Sequence, residues 1–244
     1  MKKQWLTGAA LAALTVATPA LAAPPTPMQT VYNWTGFYVG GNAGYSWGHA
    51  STTVQDSGLS DFNNPTGTFT SKQNVDGFIG GGQFGYNWQA GPAWVYGFET
   101  DFQGSAEKGS SFGCDTEGCQ THSTKLSWFG TTRIRLGALV TPTTLVYATG
   151  GFAYGELKTS FAYGPGFFDN FTVSNSQVKF GTAFGAGIES AIGLSNWTWK
   201  VEYLHLDFGS MSGSTFESST GNTLNWNAKF SDDIVRGGIN YRFR

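Results

Sequence analysis

The chain has 244 residues, a formal net charge of −2, 12% charged and 16% aromatic side chains, and 35 glycines. Soluble domains carry about 25% charged residues and about 7% glycine, so this composition fits neither a disordered chain nor an ordinary cytosolic enzyme. A mean hydropathy of −0.20 excludes a helical membrane protein, and the absence of a basic surplus excludes a nucleic-acid partner.

Residues 1–22 read as a cleavable secretory signal. Lys2 and Lys3 precede an apolar run and the small-residue site Ala20-Leu21-Ala22, with the cut expected before Ala23. Its removal leaves 12 basic and 16 acidic side chains. No later run of about 18 apolar residues could cross a membrane as a helix. Residues 23–33, AAPPTPMQTVY, are proline-rich and read as an extended linker, which the even strand count derived below places in the periplasm. Residues 34–244 form the remaining domain.

From Trp34 onward a period of two recurs. In GFYVGGNAGYSW, Phe37, Val39, Ala43, Tyr45 and Trp47 share one face, and small or polar residues occupy the other. Strands are expected near 34–48, 71–89, 94–107, 123–139, 145–158, 177–192, 197–210 and 229–243. Tight connections at 90–93, 140–144 and 193–196 alternate with long polar ones at 49–70, 108–122, 159–176 and 211–228. That regularity predicts an all-β fold, an eight-stranded antiparallel transmembrane β-barrel with short periplasmic turns and long extracellular loops.

The two faces of the strands set its orientation. Trp94, Tyr96, Phe98 and Phe102 alternate with Glu99, Asp101 and Gln103. Leu126, Trp128, Ile134 and Leu136 alternate with Lys125, Thr131, Arg133 and Arg135. Val178, Phe180, Phe184 and Ile188 alternate with Lys179, Gly181 and Glu189, and Val235, Ile239, Tyr241 and Phe243 with Arg236, Asn240 and Arg242. A soluble barrel turns its bulky face inward; here the continuous apolar face belongs against lipid. Trp88, Trp94 and Trp197 flank short turns, as an interfacial girdle requires. The strand LVYATGGFAYGEL fits either register. In WTWKVEYLHLD, His205 and Asp207 follow the outward row and fall at the extracellular rim.

Eight strands leave an interior that side chains can fill. The expected lumen network comprises Glu99, Asp101, Glu189 and Glu202 against Lys125, Arg133, Arg135, Lys179, Lys200, Arg236 and Arg242. Such charges must pair, because each unpaired buried ion loses several kcal/mol. A polar core that locks the barrel is favoured over an ion path, and a modest basic excess would tilt any leak toward anions.

The segments NWTGFYVGGNAGYSWG, GFIGGGQFGYNWQ, LVYATGGFAYG, KVEYLHLDFG and GGINYRF resemble the small outer-membrane immunogenic proteins of alphaproteobacteria, porin-family surface antigens with eight strands. The resemblance covers roughly 34–243, excluding the loops, and rests on the order and spacing of the segments. It implies an outer-membrane location and a role at the cell surface, and it carries no catalytic residues. Such barrels end on an aromatic residue; here Phe243 is followed by Arg244, with the alternation of the last strand intact.

Cys114 and Cys119, paired in an exported loop, are expected to form a disulfide, with a metal site using Asp115, Glu117 and His122 disfavoured by its spacing. The remaining histidines, His49 and His205, map with His122 near the outer rim. A lipid A-modifying site around His205, Asp207 and Ser210 lacks a complete constellation. Haem binding through loop histidines with Phe161, Tyr163, Phe167 and Phe168 ranks equally low. The reading is therefore a structural barrel supporting envelope integrity and surface presentation, with a narrow porin as the alternative. No enzyme activity, cofactor or metal is assigned. Expected partners are outer-membrane lipid and lipopolysaccharide, the barrel assembly machinery through the last strand, and host or surface ligands at the loops.

Overall fold

A computed structural model describes residues 32–56, 68–115, 118–163, 171–217 and 222–243. The signal-peptide and linker readings for residues 1–31 lie outside these residues. Alternating sequences of this kind form strands because successive side chains point to opposite faces and can satisfy two different surroundings. The strands are β1 (Gly36–Asp56), β2 (Thr68–Ala90), β3 (Trp94–Ser105), β4 (Lys108–Asp115), β5 (Gly118–Thr141), β6 (Thr144–Tyr163), β7 (Phe171–Ala191), β8 (Trp197–Glu217) and β9 (Asn222–Arg242). β4 continues β3 past a break at Ala106 and Glu107. β3 and β4 together fill one place between β2 and β5, and β1 pairs with both β2 and β9. The result is a closed antiparallel ring of eight strands, which leaves no sheet edge at the level of the ring.

The faces are divided as the alternation requires. Phe180 is 76% and Ile239 52% exposed on the outside, whereas Glu99 is 0% and Arg133 1% exposed on the inside. Trp88, Trp94 and Trp197 stand exposed beside the short turns. β6 takes the register with Leu145, Tyr147 and Ala153 inward and Val146 and Phe152 outward.

Three features differ from the sequence expectation. The predicted long loops are mostly strand: β1 and β2 stay paired to Gln55 and Thr68, and β8 and β9 to Glu217 and Asn222. These ribbons meet solvent on both faces, so no apolar alternation marks them. Second, β5 carries a bulge between Leu126 and Trp128. The extra residue reverses the faces beyond it, so Leu126 is buried in the lumen and Lys125 is exposed. Lys125 is therefore not a lumen residue. Third, Trp34 precedes the first strand and is fully buried.

The ladder between β7 and β8 stops at Thr182 and Asp207. Just above, Gly209 adopts φ of 68°, a left-handed conformation that suits glycine. Its N–H is held by Asp207 Oδ1 at 2.7 Å, and β8 is shifted by one residue against β9.

Candidate functional site in the lumen

The lumen is filled in three layers, and β8 shows the order of the upper two. Its inward positions read Thr198, Lys200 and Glu202, then Leu204, Leu206 and Phe208.

The lowest layer closes the mouth at the short turns. Tyr32 and Trp34 pack with Val95, Leu145 and Tyr147. Trp34 N donates to Gln89 Oε1 at 2.9 Å, and its indole Nε1 donates to the Pro142 carbonyl at 3.1 Å. Arg242 donates to the Trp34 carbonyl, and its guanidinium lies 4.8 Å from the Trp34 ring centroid. Tyr32 belongs to the segment expected to be linker, yet it is buried within the barrel domain.

The middle layer is ionic. Arg133 bridges Glu99 at 2.7 Å, Asp101 at 2.9 Å and Glu202 at 3.2 Å. Arg236 bridges Glu202 at 2.6 Å and Asp101 at 2.8 Å. Lys200 meets Glu99 at 2.9 Å, and Arg135 meets Glu189 at 2.7 Å. Neutral donors occupy further lone pairs: Tyr38 donates to Glu99 at 2.8 Å, Tyr147 to Glu202 at 2.9 Å and Thr198 to Glu189 at 2.6 Å. Cross-strand register places Glu99 beside Arg133 and Glu189 beside Lys200. Gly85 makes room for Tyr38, since a Cβ there would lie 2.4 Å from the phenol ring.

This network holds four carboxylates and four cations, so its ions balance. The basic excess expected from the sequence does not exist at this level. Lys125 points outward, and Arg242 belongs to the mouth. Lys179 is only half-buried, and among the described residues no ion pair joins it to the network.

The upper layer is apolar. Leu126, Phe129, Leu204, Leu206, Phe208, Phe230 and Ile234 form one buried cluster with Val75, Ile79, Ala153, Leu157 and Ala183. The sequence reading missed it, although Leu204, Leu206 and Phe208 alternate with His205 and Asp207. That is an apolar row on the face that is polar lower down. Two acids sit within this layer: Glu107, placed by the break between β3 and β4, and Asp232. Ser46 donates to Asp232, and Ser105 Oγ donates to Glu107 Oε1 at 2.9 Å. Among the described residues, Glu107 Oε2 and Asp232 Oδ2 are buried without a hydrogen-bond partner.

The rim residues are arranged differently from the expected site. His205 Nδ1 lies 2.8 Å from Asp233 Oδ1, which also accepts from Tyr203 at 2.6 Å. Asp207 is occupied by Gly209, and Ser210 lies past the bulge, opposite Lys229. His205, Asp207 and Ser210 are thus not brought together. His122 Nδ1 instead meets Gln73 at 2.5 Å. The side chains of Cys114 and Cys119, of Asp115 and Glu117, and of Phe161, Tyr163, Phe167 and Phe168 lie outside the described residues. The backbone register does set Cys114 directly opposite Cys119.

An eight-stranded ring with aromatics outside and paired ions inside is a transmembrane β-barrel of the outer-membrane type. The chain belongs to the outer membrane protein beta-barrel domain family, whose model matches residues 8–243. It is 38% identical to the 31 kDa outer-membrane immunogenic protein of Brucella melitensis, over 96% of this chain and 93% of that one. It is 30% identical to the 22 kDa outer membrane protein of Rhizobium leguminosarum bv. viciae, over 91% and 83% of the two chains. The crystal structure of OprG from Pseudomonas aeruginosa shares the fold, with a TM-score of 0.50 at 13% identity, covering 86% of this chain and 98% of that one. The protein resides in the outer membrane.

On β1 the membrane-spanning stretch runs from Phe37 to the girdle residues Tyr45 and Trp47. Asp232, paired with Gly48, and Glu107, in the break between β3 and β4, lie beyond the spanning segments on the extracellular side. Burial, with Asp232 nearby, pushes the Glu107 carboxyl up to about 8. Burial likewise raises Asp232 to about 6, with Asp233 adding to the effect and Ser46 and His205 opposing it.

Proposed function

We propose that the protein is a structural barrel of the outer membrane that supports envelope integrity and presents its extracellular ribbons at the surface, and that it is neither a porin nor an enzyme. The observation that carries this reading is the filling of the lumen at three successive heights. A permeant ion would have to displace the buried Trp34, separate paired charges around Arg133 and Arg236, and then cross the apolar layer at Leu204 and Leu206. Each step costs several kcal/mol, because ions and unpaired charges are poorly solvated at such sites. The rim dyad of His205 and Asp233 has no nucleophile placed against it among the described residues. The name of the Brucella relative, an outer-membrane immunogenic protein, supports surface presentation.

Deleting the gene is expected to raise sensitivity to bile-salt detergents while leaving uptake of small solutes unchanged. Normal detergent resistance combined with slowed solute uptake contradicts the reading and favours a narrow porin.

A further inference from the structure

We propose that the outer face of the extracellular sheet formed by β8, β9, β1 and β2 docks the phosphorylated saccharide headgroup of the outer-leaflet glycolipid that surrounds the barrel. This goes beyond the structural role and holds whether or not the barrel conducts.

Cross-strand register puts Ser210, Lys229, Ser51 and Lys72 side by side in one row on that face. The next rows form a depression of about 650 Å³ whose side chains are Thr53, Gln55, Ser212, Ser214, Asn225 and Asn227. Every side chain in these rows is a hydroxyl, an amide or an ammonium; no aspartate, glutamate or large apolar group shares them. Amides offer donors and acceptors together, and hydroxyls act as either, which matches the alternating demands of sugar hydroxyls. Lysine is a phosphate ligand that acts as a point charge. A protein partner would instead require an aromatic or aliphatic anchor, and the rows of the lysines and of the depression hold none.

Height decides which ligand is at hand. At about 3.3 Å per residue and a tilt near 40°, Ser51 stands roughly 10 Å and Gln55 roughly 20 Å above the girdle at Trp47. Phospholipid headgroups extend only about 5–7 Å beyond the hydrocarbon. Only a lipid with a saccharide headgroup reaches these rows from the adjacent leaflet. The rows are continuous with the lipid-facing wall below, since Ser51 and Trp47 lie on the same face of β1. Lys72 and Lys229 stand in the row directly below the depression, and Asp207, Asp233 and Asp76 occupy the rows between them and the membrane, so the phosphates within reach of the lysines are those of the saccharide core above the girdle.

The test uses the full mature chain refolded in detergent. Two probes are compared by native mass spectrometry: rough lipopolysaccharide with a phosphorylated core, and lipid A alone. The core-bearing lipid is expected to bind at least tenfold more tightly. The double variant Lys72→Glu/Lys229→Glu is expected to abolish that ratio, and Thr53→Trp, which fills the depression and keeps both lysines, to reduce it at least threefold. A heat-modifiable gel shift reports that each variant is folded. Equal binding of the two lipids by the wild type overturns the proposal, as does a ratio unchanged in both variants. Competition by soluble dextran sulfate as effective as that by the core-bearing lipid also overturns it, because it marks the face as a general polyanion surface.

Discussion

At the level of Glu99, the lumen wall carries four carboxylates matched to four cations, with phenol and hydroxyl donors on further lone pairs. At the level of Leu206, the same wall is apolar, and its two acids, Glu107 and Asp232, face each other with serines for company and no cation bonded to either among the described residues. Both layers fill the barrel, but in different ways. The ionic layer is specific, because each ion needs its own partner. The apolar layer is tolerant in shape and strict in volume. The buried acids can stay there because they can hold protons.

The largest effect is expected from breaking the ionic layer on one side. Arg236→Met strips a cation from Asp101 and Glu202 and is expected to cost about 3–5 kcal/mol in urea unfolding from detergent micelles. Adding Glu202→Gln should recover part of that loss, since the pair then leaves less charge unmatched. If the single and double variants are equally destabilised, the layer is not held by matched ions.

The apolar layer responds to volume. Leu206→Ala is expected to cost about 2–4 kcal/mol, the usual penalty for a cavity in a packed core. Leu206→Met is expected to cost less than about 1.5 kcal/mol. A large cost for the methionine variant would contradict the tolerance assigned to this layer.

The acid pair separates the layers by pH. Glu107 and Asp232 are raised above their ordinary values, to about 8 and about 6. The folded protein therefore binds more protons than the unfolded chain once pH exceeds the ordinary carboxylate range. Stability contributed by these acids is full below that range and falls as pH rises through 6 and then 8. One proton of difference gives a slope of about 1.4 kcal/mol per pH unit. Glu107→Gln should flatten the slope between pH 6 and 8, measured by urea unfolding across that range.

The smallest effect belongs to charge outside both layers. Lys158 and Glu156 form a solvent-exposed pair at 3.3 Å. Lys158→Ala is expected to change stability by less than about 1 kcal/mol. A larger loss would show that the ribbons above the membrane are braced by surface charge.

The membrane half of this molecule is legible in the sequence because lipid makes one simple demand. Phe98, Phe180 and Ile239 had to face hydrocarbon, which left Glu99, Arg133 and Arg236 with only the lumen to occupy. Register alone does not reveal a bulge, so the one between Leu126 and Trp128 hid the reversal that sends Lys125 out and Leu126 in. The ribbons above the membrane left no period, since residues such as Ser174, Asn175 and Ser176 meet water on either face. Trp34 offered no local signal for its inward turn, because its partners Gln89 and Pro142 are distant in sequence. The apolar layer was readable in principle from Leu204, Leu206 and Phe208, whose alternation continues while the chemistry of the inner face changes.

The filled lumen is tested most directly by single-channel recording of the purified full chain in planar bilayers at neutral pH and 1 M KCl. The account predicts a silent membrane for the wild type, and still a silent one for Trp34→Ala, because the ionic and apolar layers remain above the opened mouth. Discrete, reproducible conductance steps from the wild-type chain would contradict it.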